Sequence, residues 1–273
     1  MRNKNILEKI IFCFKYKNID EQQYEAMKRN LASKGISIRF IQTDEENAGI
    51  EELRKNVESR ENILWICDYE IDRTSEDAVL IYQHERNTDL SFEGYQYFIE
   101  GFEDADADYY EKTYQRIKRI PWLIAETKRL YVREMQEEDL TELYELYKES
   151  DLTPFLPPLY QNREEEREYL KRYITHMYGI FEYGMWVLQE KETGKVIGRM
   201  GVENTDCEEE LSFGFMLAVQ YRKKGYATEA GLAVKEYMRE KFPALRLIAF
   251  CHPHNADAIR LCERLDIQVK KCY

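Results

Sequence analysis

Leu211 to Val219, then Arg222-Lys223-Lys224-Gly225-Tyr226-Ala227, then Ala227, Ala230, Gly231, Val234, Tyr237 and Met238: these residues read as a strand, a basic glycine turn and a long helix. The helix positions fall at helical spacing and make one apolar stripe. Glycine lets the chain curl without a Cβ clash, so successive N–H groups converge at the mouth of the helix. The positive end of the helix dipole lies there, and three adjacent cations add charge where a pyrophosphate would sit. The plainer reading of the same residues is a basic helix start on a solvated surface.

The flanks decide between these readings. Leu130-Tyr131-Val132-Arg133-Glu134 reads as a strand, followed by a helix with Leu140, Leu143, Tyr144 and Tyr147 on one face. A segment carrying Pro154, Pro157 and Pro158 leads to a charged helix from Arg163 to Met177. Met185-Trp186-Val187-Leu188 and Val196-Ile197-Gly198-Arg199-Met200 flank the turn Lys191-Glu192-Thr193-Gly194-Lys195 as a hairpin. Beyond the main helix, the run Leu245 to Phe250 ends in Cys251-His252-Pro253-His254-Asn255, and a last helix spans Ala256 to Leu265.

This order, β-α-α-β-β-β-α-β-α, resembles the GNAT superfamily of N-acetyltransferases, in its RimJ/RimL-like branch, from about Ile124 to the C-terminus. The turn matches the pattern Gln/Arg-x-x-Gly-x-Gly/Ala. Thr127-Lys128-Arg129-Leu130, Val196-Ile197-Gly198, Gly225-Tyr226-Ala227-Thr228-Glu229 and Asn255 agree with it locally. The resemblance implies an α/β (α+β) chain whose C-terminal GNAT fold is a mixed central sheet flanked by helices. It implies acetyl-CoA as co-substrate, lying between two splayed parallel strands, here Leu211–Val219 and Leu245–Cys251. Backbone groups around Met216, Leu217 and Val219 would pair with the pantetheine arm as an added strand does. The N–H groups of Arg222, Lys223, Lys224, Gly225, Tyr226 and Ala227 would take the pyrophosphate, and Asn255 would bond the pantetheine or the nucleotide side. An N–H near Leu217 would stabilise the oxyanion.

The chain departs from the family where the resemblance would place its acid and base. Cys262 stands seven residues after Asn255, where many relatives carry a tyrosine, and Ser212 stands where many carry a glutamate. Glu203 and Glu210 lie nearby, each readable as a surface carboxylate. Catalytic residues are therefore unassigned, with Glu203, Ser212 and Cys262 as candidates. Asp266-Ile267 replaces a usual Gly-Phe, and the residues from Ile267 to Tyr273 suffice for a sixth strand but not a seventh. A bare sheet edge needs cover, either by the other domain or by a second subunit, so a homodimer is one expectation. The acceptor is expected to be a primary amine, either a protein N-terminus or a small cationic amine. Residues 151–177, Tyr183 and Trp186 would shape its site. The competing expectation is a catalytically inactive acyl-CoA-binding or scaffolding module.

Residues 1–120 read as a separate small α/β layered domain of unknown role, joined to 121–273 at Ile120-Pro121-Trp122. Tyr24, Met27 and Leu31 form one helix face ended by Gly35, and Ile36 to Ile41 reads as a strand. Thr43-Asp44-Glu45-Glu46 reads as a capping box. Ile63–Cys67 and Ala78–Tyr82 read as buried strands, Tyr95–Ile99 as another, and Asp104 to Arg119 as a helix. Alternation of this kind implies a parallel sheet. Asp68, at a strand's carboxyl end, invites a phosphatase or receiver reading, but the following Tyr69-Glu70-Ile71 lacks the partners. A structural role is expected.

The formal net charge of −12 argues against a general nucleic-acid partner. The six cysteines show no C-x-x-C pair or metal-ligand spacing and read as reduced thiols. His252 and His254 lack a third ligand, so no metal is expected. No run reaches the roughly 20 apolar residues of a membrane span, and Ile6 to Phe14 is short for a leader. A cytoplasmic location without a membrane partner is the expectation.

Overall fold

The computed structural model describes residues 6–15, 21–42, 50, 53, 62–102, 105–148 and 158–271. The chain divides into two compact units, Met1–Ile120 and Pro121–Tyr273.

The first unit contains β1 (Lys9–Phe14), α1 (Glu21–Ala32), β2 (Ser37–Gln42), β3 (Ile63–Cys67), β4 (Ala78–Tyr82), β5 (Phe98–Ile99) and α2 (Ala107–Ile117). Its strands form one parallel sheet in the order β2-β1-β3-β4-β5. Alternate residues of each strand enter different cores. Ile10, Phe12, Leu64, Ile66 and Leu80 pack with Met27, Leu31, Tyr110 and Tyr114, while Ile11, Cys13, Trp65, Cys67 and Val79 pack with Ile50 and Leu53. Burial on both faces explains why β3 and β4 are apolar at every position. The run Ile6 to Phe14, read only as too short for a leader, supplies the interior strand β1. The strand expected over Tyr95–Ile99 shortens to Phe98–Ile99, and the capping box at residues 43–46 lies outside the described residues.

Asp68 is fully buried after β3. Its Oδ1 accepts the Lys15 N–H at 2.8 Å, its Oδ2 lies 3.4 Å from His84 Nε2, and its carbonyl accepts from Asn87 Nδ2 at 2.9 Å. His84 Nδ1 in turn accepts the Arg86 N–H at 3.2 Å. The carboxylate ties together the loops that follow β1, β3 and β4, which is a structural role.

The second unit contains β6 (Leu123–Glu126), β7 (Leu130–Arg133), α3 (Leu140–Tyr147), α4 (Arg163–Tyr173), a π-helical segment Ile174–Phe181, β8 (Met185–Glu190), β9 (Val196–Asn204), β10 (Glu210–Leu217), α5 (Tyr226–Lys241), β11 (Arg246–Cys251), α6 (Ala256–Arg264) and β12 (Gln268–Lys271). Among the described residues its sheet has seven strands, in the order β12-β11-β10-β9-β8-β7-β6. Neighbours are antiparallel from β6 to β10 and parallel from β10 to β12. Strand β6 precedes the first strand that the resemblance supplied, and β12 takes the place expected for the sixth. Asp266, with φ 53°, adopts the left-handed conformation that a glycine would take there.

Cross-strand register sorts this sheet into two faces. Leu188, Met200, Val202, Phe213 and Phe215 share one face, with Trp186. Trp186 is fully buried, with its ring edge-on to Tyr237 of α5 at 5.5 Å. The other face carries Val187, Arg199, Glu203, Ser212, Gly214 and Met216 and meets α3 through a hydrogen bond from Arg199 to Tyr147. Helix α5 buries Ala230, Gly231, Val234 and Met238. A Cβ on Gly231 would collide with Leu265, so glycine sets how closely α6 and its exit approach α5.

Candidate active site

Two parallel strands of this sheet fork. Strands β10 and β11 pair only at Glu210–Arg246, Leu211–Leu247 and Ser212–Ile248. From Phe213 onward β10 stays with β9 as far as Leu217, while β11 stays with β12 as far as Cys251. Glu210 holds the closed end. Its nearly buried carboxylate takes Arg246 of β11 on one oxygen and Lys270 of β12 on the other, the latter at 2.6 Å. The Lys270 ammonium, helped by Arg246, holds the Glu210 carboxyl below its ordinary range. Read from sequence as a surface carboxylate, Glu210 is instead the clamp of the fork.

Backbone alternation decides what β10 offers to the opening. The Ala218 N–H donates to the Ile197 carbonyl at 2.9 Å, and a Cβ on Gly198 would collide with the Met216 carbonyl. Ala218 and Met216 therefore spend their backbone groups on β9, and the intervening Leu217 points the other way. The expectation for Met216 is corrected on this ground. The Leu217 carbonyl accepts Arg222 Nε at 2.9 Å. Val219 has left the strand for a 3₁₀ turn, Val219–Tyr221, and its carbonyl accepts the Arg222 N–H at 3.1 Å. That bond corrects a second expectation, because the Arg222 amide is already spent.

The remaining amides of the turn are not. Lys223 and Gly225 take left-handed conformations, φ 57° and 85°, and curl the chain into α5. The first helical bond runs from Glu229 N–H to the Gly225 carbonyl. Among the described residues, no hydrogen bond occupies the N–H groups of Lys223, Lys224, Gly225, Tyr226 or Ala227. Five donors at a helix mouth, with Lys223 and Lys224 exposed beside them, suit an anion of the size of a pyrophosphate.

A buttress behind the turn fixes its shape. Glu229 Oε1 accepts the Arg129 backbone N–H at 2.8 Å, and Oε2 accepts Arg129 Nε at 2.7 Å. Arg129 Nη1 donates to the Lys224 carbonyl at 3.0 Å, and the guanidinium lies 3.9 Å from the centre of the Tyr226 ring. The Tyr226 hydroxyl donates to Glu190 at 2.6 Å, and Glu190 also accepts from Thr193 and Tyr221. The Tyr226 hydrogen bond leads in holding Glu190 below the ordinary carboxylate range. Burial pushes Glu229 up, but bonds from Thr127 and Arg129 outweigh it and the net shift is downward. The sequence contained both Thr127–Leu130 and Gly225–Glu229 as local motifs. Only the fold shows that they bond each other.

Asn255 caps α6, its Oδ1 accepting the Ala258 N–H at 3.2 Å. Its side chain thus has a helix-capping duty whatever else it binds. Cys262 is fully buried, part of the sheet-and-helix core. The adjoining Cys251 thiol and burial together push the Cys262 thiol up. Its complete burial in the core corrects Cys262 from catalytic candidate to core residue.

Ser212 and Glu203 are direct cross-strand partners on the face that carries Arg199. Ser212 is half-buried and Glu203 exposed. Around them stand tyrosines from α4 and the π-helical segment. The Tyr173 hydroxyl accepts the Met185 N–H at 2.7 Å, and the Tyr178 hydroxyl donates to the Met185 carbonyl. Burial first, with the Glu203 charge contributing, pushes the Tyr173 phenol up to about 12. The expected aromatic pair, Tyr183 and Trp186, belongs elsewhere. Trp186 packs on α5, and Tyr183 bonds Asn204 and meets the Phe242 ring edge-on. Tyr169 and Tyr173 of α4, within the 151–177 segment expected to shape the acceptor site, are the aromatics that feel the Glu203 charge.

Among the described residues, no group of three or more His, Cys, Asp or Glu side chains could hold a metal ion, and no helix is long and apolar enough to cross a membrane. The acetyltransferase (GNAT) domain family matches residues 129–268. The chain is 25% identical over 150 residues to the uncharacterised N-acetyltransferase YnaD of Bacillus subtilis, covering 54% of this chain and 85% of that protein. Similar solved structures include a ribosomal-protein-S5-alanine acetyltransferase from Vibrio fischeri, 19% identical, covering 52% of this chain and 80% of that one with a TM-score of 0.46. They also include RimL, a ribosomal L7/L12 α-N-protein acetyltransferase, 14% identical, covering 53% and 79% with a TM-score of 0.46. With the family match spanning just over half of its residues, the protein belongs to the GNAT acetyltransferases, acetyl-CoA-dependent acyltransferases.

Proposed function

We propose that the enzyme moves the acetyl group of acetyl-CoA to a primary amine by direct attack in a ternary complex. The observation that carries this is the fork between β10 and β11, leading into a turn whose amides from Lys223 to Ala227 are unspent. The turn takes the pyrophosphate on main-chain donors. Leu217, the residue whose backbone faces the opening, presents its N–H to the thioester carbonyl, where such a donor supplies roughly 3 kcal/mol of transition-state stabilisation. Holding both reactants in one cleft supplies a further large share. Glu203, exposed beside Ser212 on the acceptor side of the sheet, takes the ammonium proton, directly or through a water, and Ser212 helps to orient the amine. Asn255 offers its amide NH₂ to the pantetheine while its oxygen caps α6.

Calorimetric titration with acetyl-CoA, followed by coenzyme A release with a panel of amines, tests the reading. Tight binding and amine-dependent release are expected, with Glu203→Gln lowering kcat while leaving acetyl-CoA affinity unchanged. Absence of acetyl-CoA binding refutes it. Binding without release for any amine favours an acyl-CoA-binding module instead.

A further inference from the structure

Two arginines of the same sheet region, Arg129 and Arg133, have counter-ions. Arg133 makes two bonds to Asp139, at 2.7 and 2.8 Å, and Arg129 is paired with Glu229. Arg199 differs. Its Nη1 donates to the Tyr147 hydroxyl at 3.2 Å, its Nε is buried without a hydrogen-bond partner, and no carboxylate among the described residues forms an ion pair with it. The groups around it are phenols, those of Tyr147, Tyr173 and Tyr178, and the Tyr173 and Tyr178 hydroxyls are already engaged by Met185. A guanidinium keeps its charge in any such setting, and withdrawing it from water without a counter-ion is costly.

Arg199 sits where that charge is useful. It is the cross-strand partner of Met216, next to the residue whose backbone faces the fork. Glu203 lies on the same face of β9, four residues and roughly 13 Å along the strand. Between them lie Gly214 of β10, where an added Cβ would meet Met185 Sδ in ordinary contact at 3.5 Å, and Gly201 of β9, where it would collide with the Gly184 carbonyl. The face thus has a cationic end at Arg199 and an anionic end at Glu203.

We infer that the acceptor is an amine that also bears a carboxylate, its anion bound by Arg199 and its amine left to reach the thioester carbonyl at Leu217. This rests on the acetyl-transfer reading and sharpens it, replacing the cationic amine that sequence suggested. The shared chemistry fits a free amino acid or a peptide with an acidic N-terminal residue. A guanidinium–carboxylate pair is bidentate, directional and stronger than a neutral hydrogen bond.

The test compares matched acceptors with acetyl-CoA at saturation. One arm sets free amino acids against their amides, and the other sets C-terminally amidated peptides beginning with Asp or Glu against those beginning with Asn or Gln. In at least one arm the carboxylate form is expected to win by about tenfold or more in kcat/KM. Arg199→Gln is expected to cut that preference to within about twofold by raising KM for the acid, with acetyl-CoA affinity unchanged, and Arg199→Lys to keep part of it. The arm that shows the preference identifies the source of the carboxylate. Equal use of acid and amide in both arms, or an equal loss on both in Arg199→Gln, overturns the inference while leaving acetyl transfer standing. Should acetyl-CoA bind and no acceptor release coenzyme A, Asp, Glu and their amides titrated into the acetyl-CoA complex decide it. Selective binding of the acids, lost in Arg199→Gln, supports the site; no selectivity overturns it. Failure to bind acetyl-CoA overturns both readings.

Discussion

Replacing Gly225 by alanine measures how far the anion turn depends on backbone shape. Gly225 has φ 85°, and an added Cβ would meet only Arg129 Nη2, at 3.5 Å, an ordinary contact. The cost is therefore conformational and not steric. An L-residue held in the left-handed region loses about 1–2 kcal/mol. If Arg129, Glu229 and Tyr226 keep the turn in place, the loss appears as reduced stability, at about 2–4 °C for each kcal/mol in a unit of this size. If the turn relaxes when no ligand is bound, the same energy appears as weaker acetyl-CoA binding, about 5–30-fold for 1–2 kcal/mol. Scanning calorimetry and isothermal titration on the same samples should together recover the whole amount. Gly225→Asn should lose less, because asparagine tolerates this region, and Gly225→Val more. Lys223→Ala should weaken binding modestly and in a salt-dependent way. Unchanged melting and unchanged affinity in Gly225→Ala would refute the reasoning. A loss in Lys223→Ala equal to that in Gly225→Val would assign the site to surface charge.

Glu210→Gln should lower the melting temperature at neutral pH, because Arg246 and Lys270 lose their shared partner. A carboxyl held below its ordinary value stabilises the fold above the unfolded-state value and loses that contribution as pH falls through the folded one. The gap between wild type and variant should therefore close on acidification below about pH 4.5, and a gap constant down to pH 3 would exclude the clamp. Asn255→Ala should cost about 1 kcal/mol of stability through the lost cap, whereas Asn255→Asp should retain it; equal melting of the two variants would contradict this. Cys262→Ala should keep kcat within about twofold while lowering stability modestly, and a large loss of kcat with a normal melt would restore the thiol as a catalytic group.

Much of the fold could be read from the chain because its signals are local. The stripe from Ala227 to Met238, the glycine-bearing turn at Lys191–Lys195 and the apolar runs Ile63–Cys67 and Ala78–Tyr82 each depend on neighbours within a few residues. What escaped depends on register or on distant partners. Met216 and Leu217 are adjacent in sequence, yet their backbone groups face opposite strands, which no composition reveals. Glu210 looked like a surface carboxylate because Lys270 is sixty positions away. Arg199 reads as one more residue of a strand until the register places it on the face of the phenols, with no ion pair among the described residues. The first strand, Lys9–Phe14, is hard to read locally because an apolar run near a chain start resembles a short leader as much as a buried strand.

The fork is built from main chain, and that has an evolutionary consequence. Amides and carbonyls are common to every residue, so substitutions along β10 and the turn can replace side chain after side chain without erasing the surface proposed to grip a nucleotide thioester. Only glycine-dependent shape and the salt links that hold it are exposed to loss. Distant sequences can keep one donor molecule in this way while their opposite sheet faces diverge to receive different recipients.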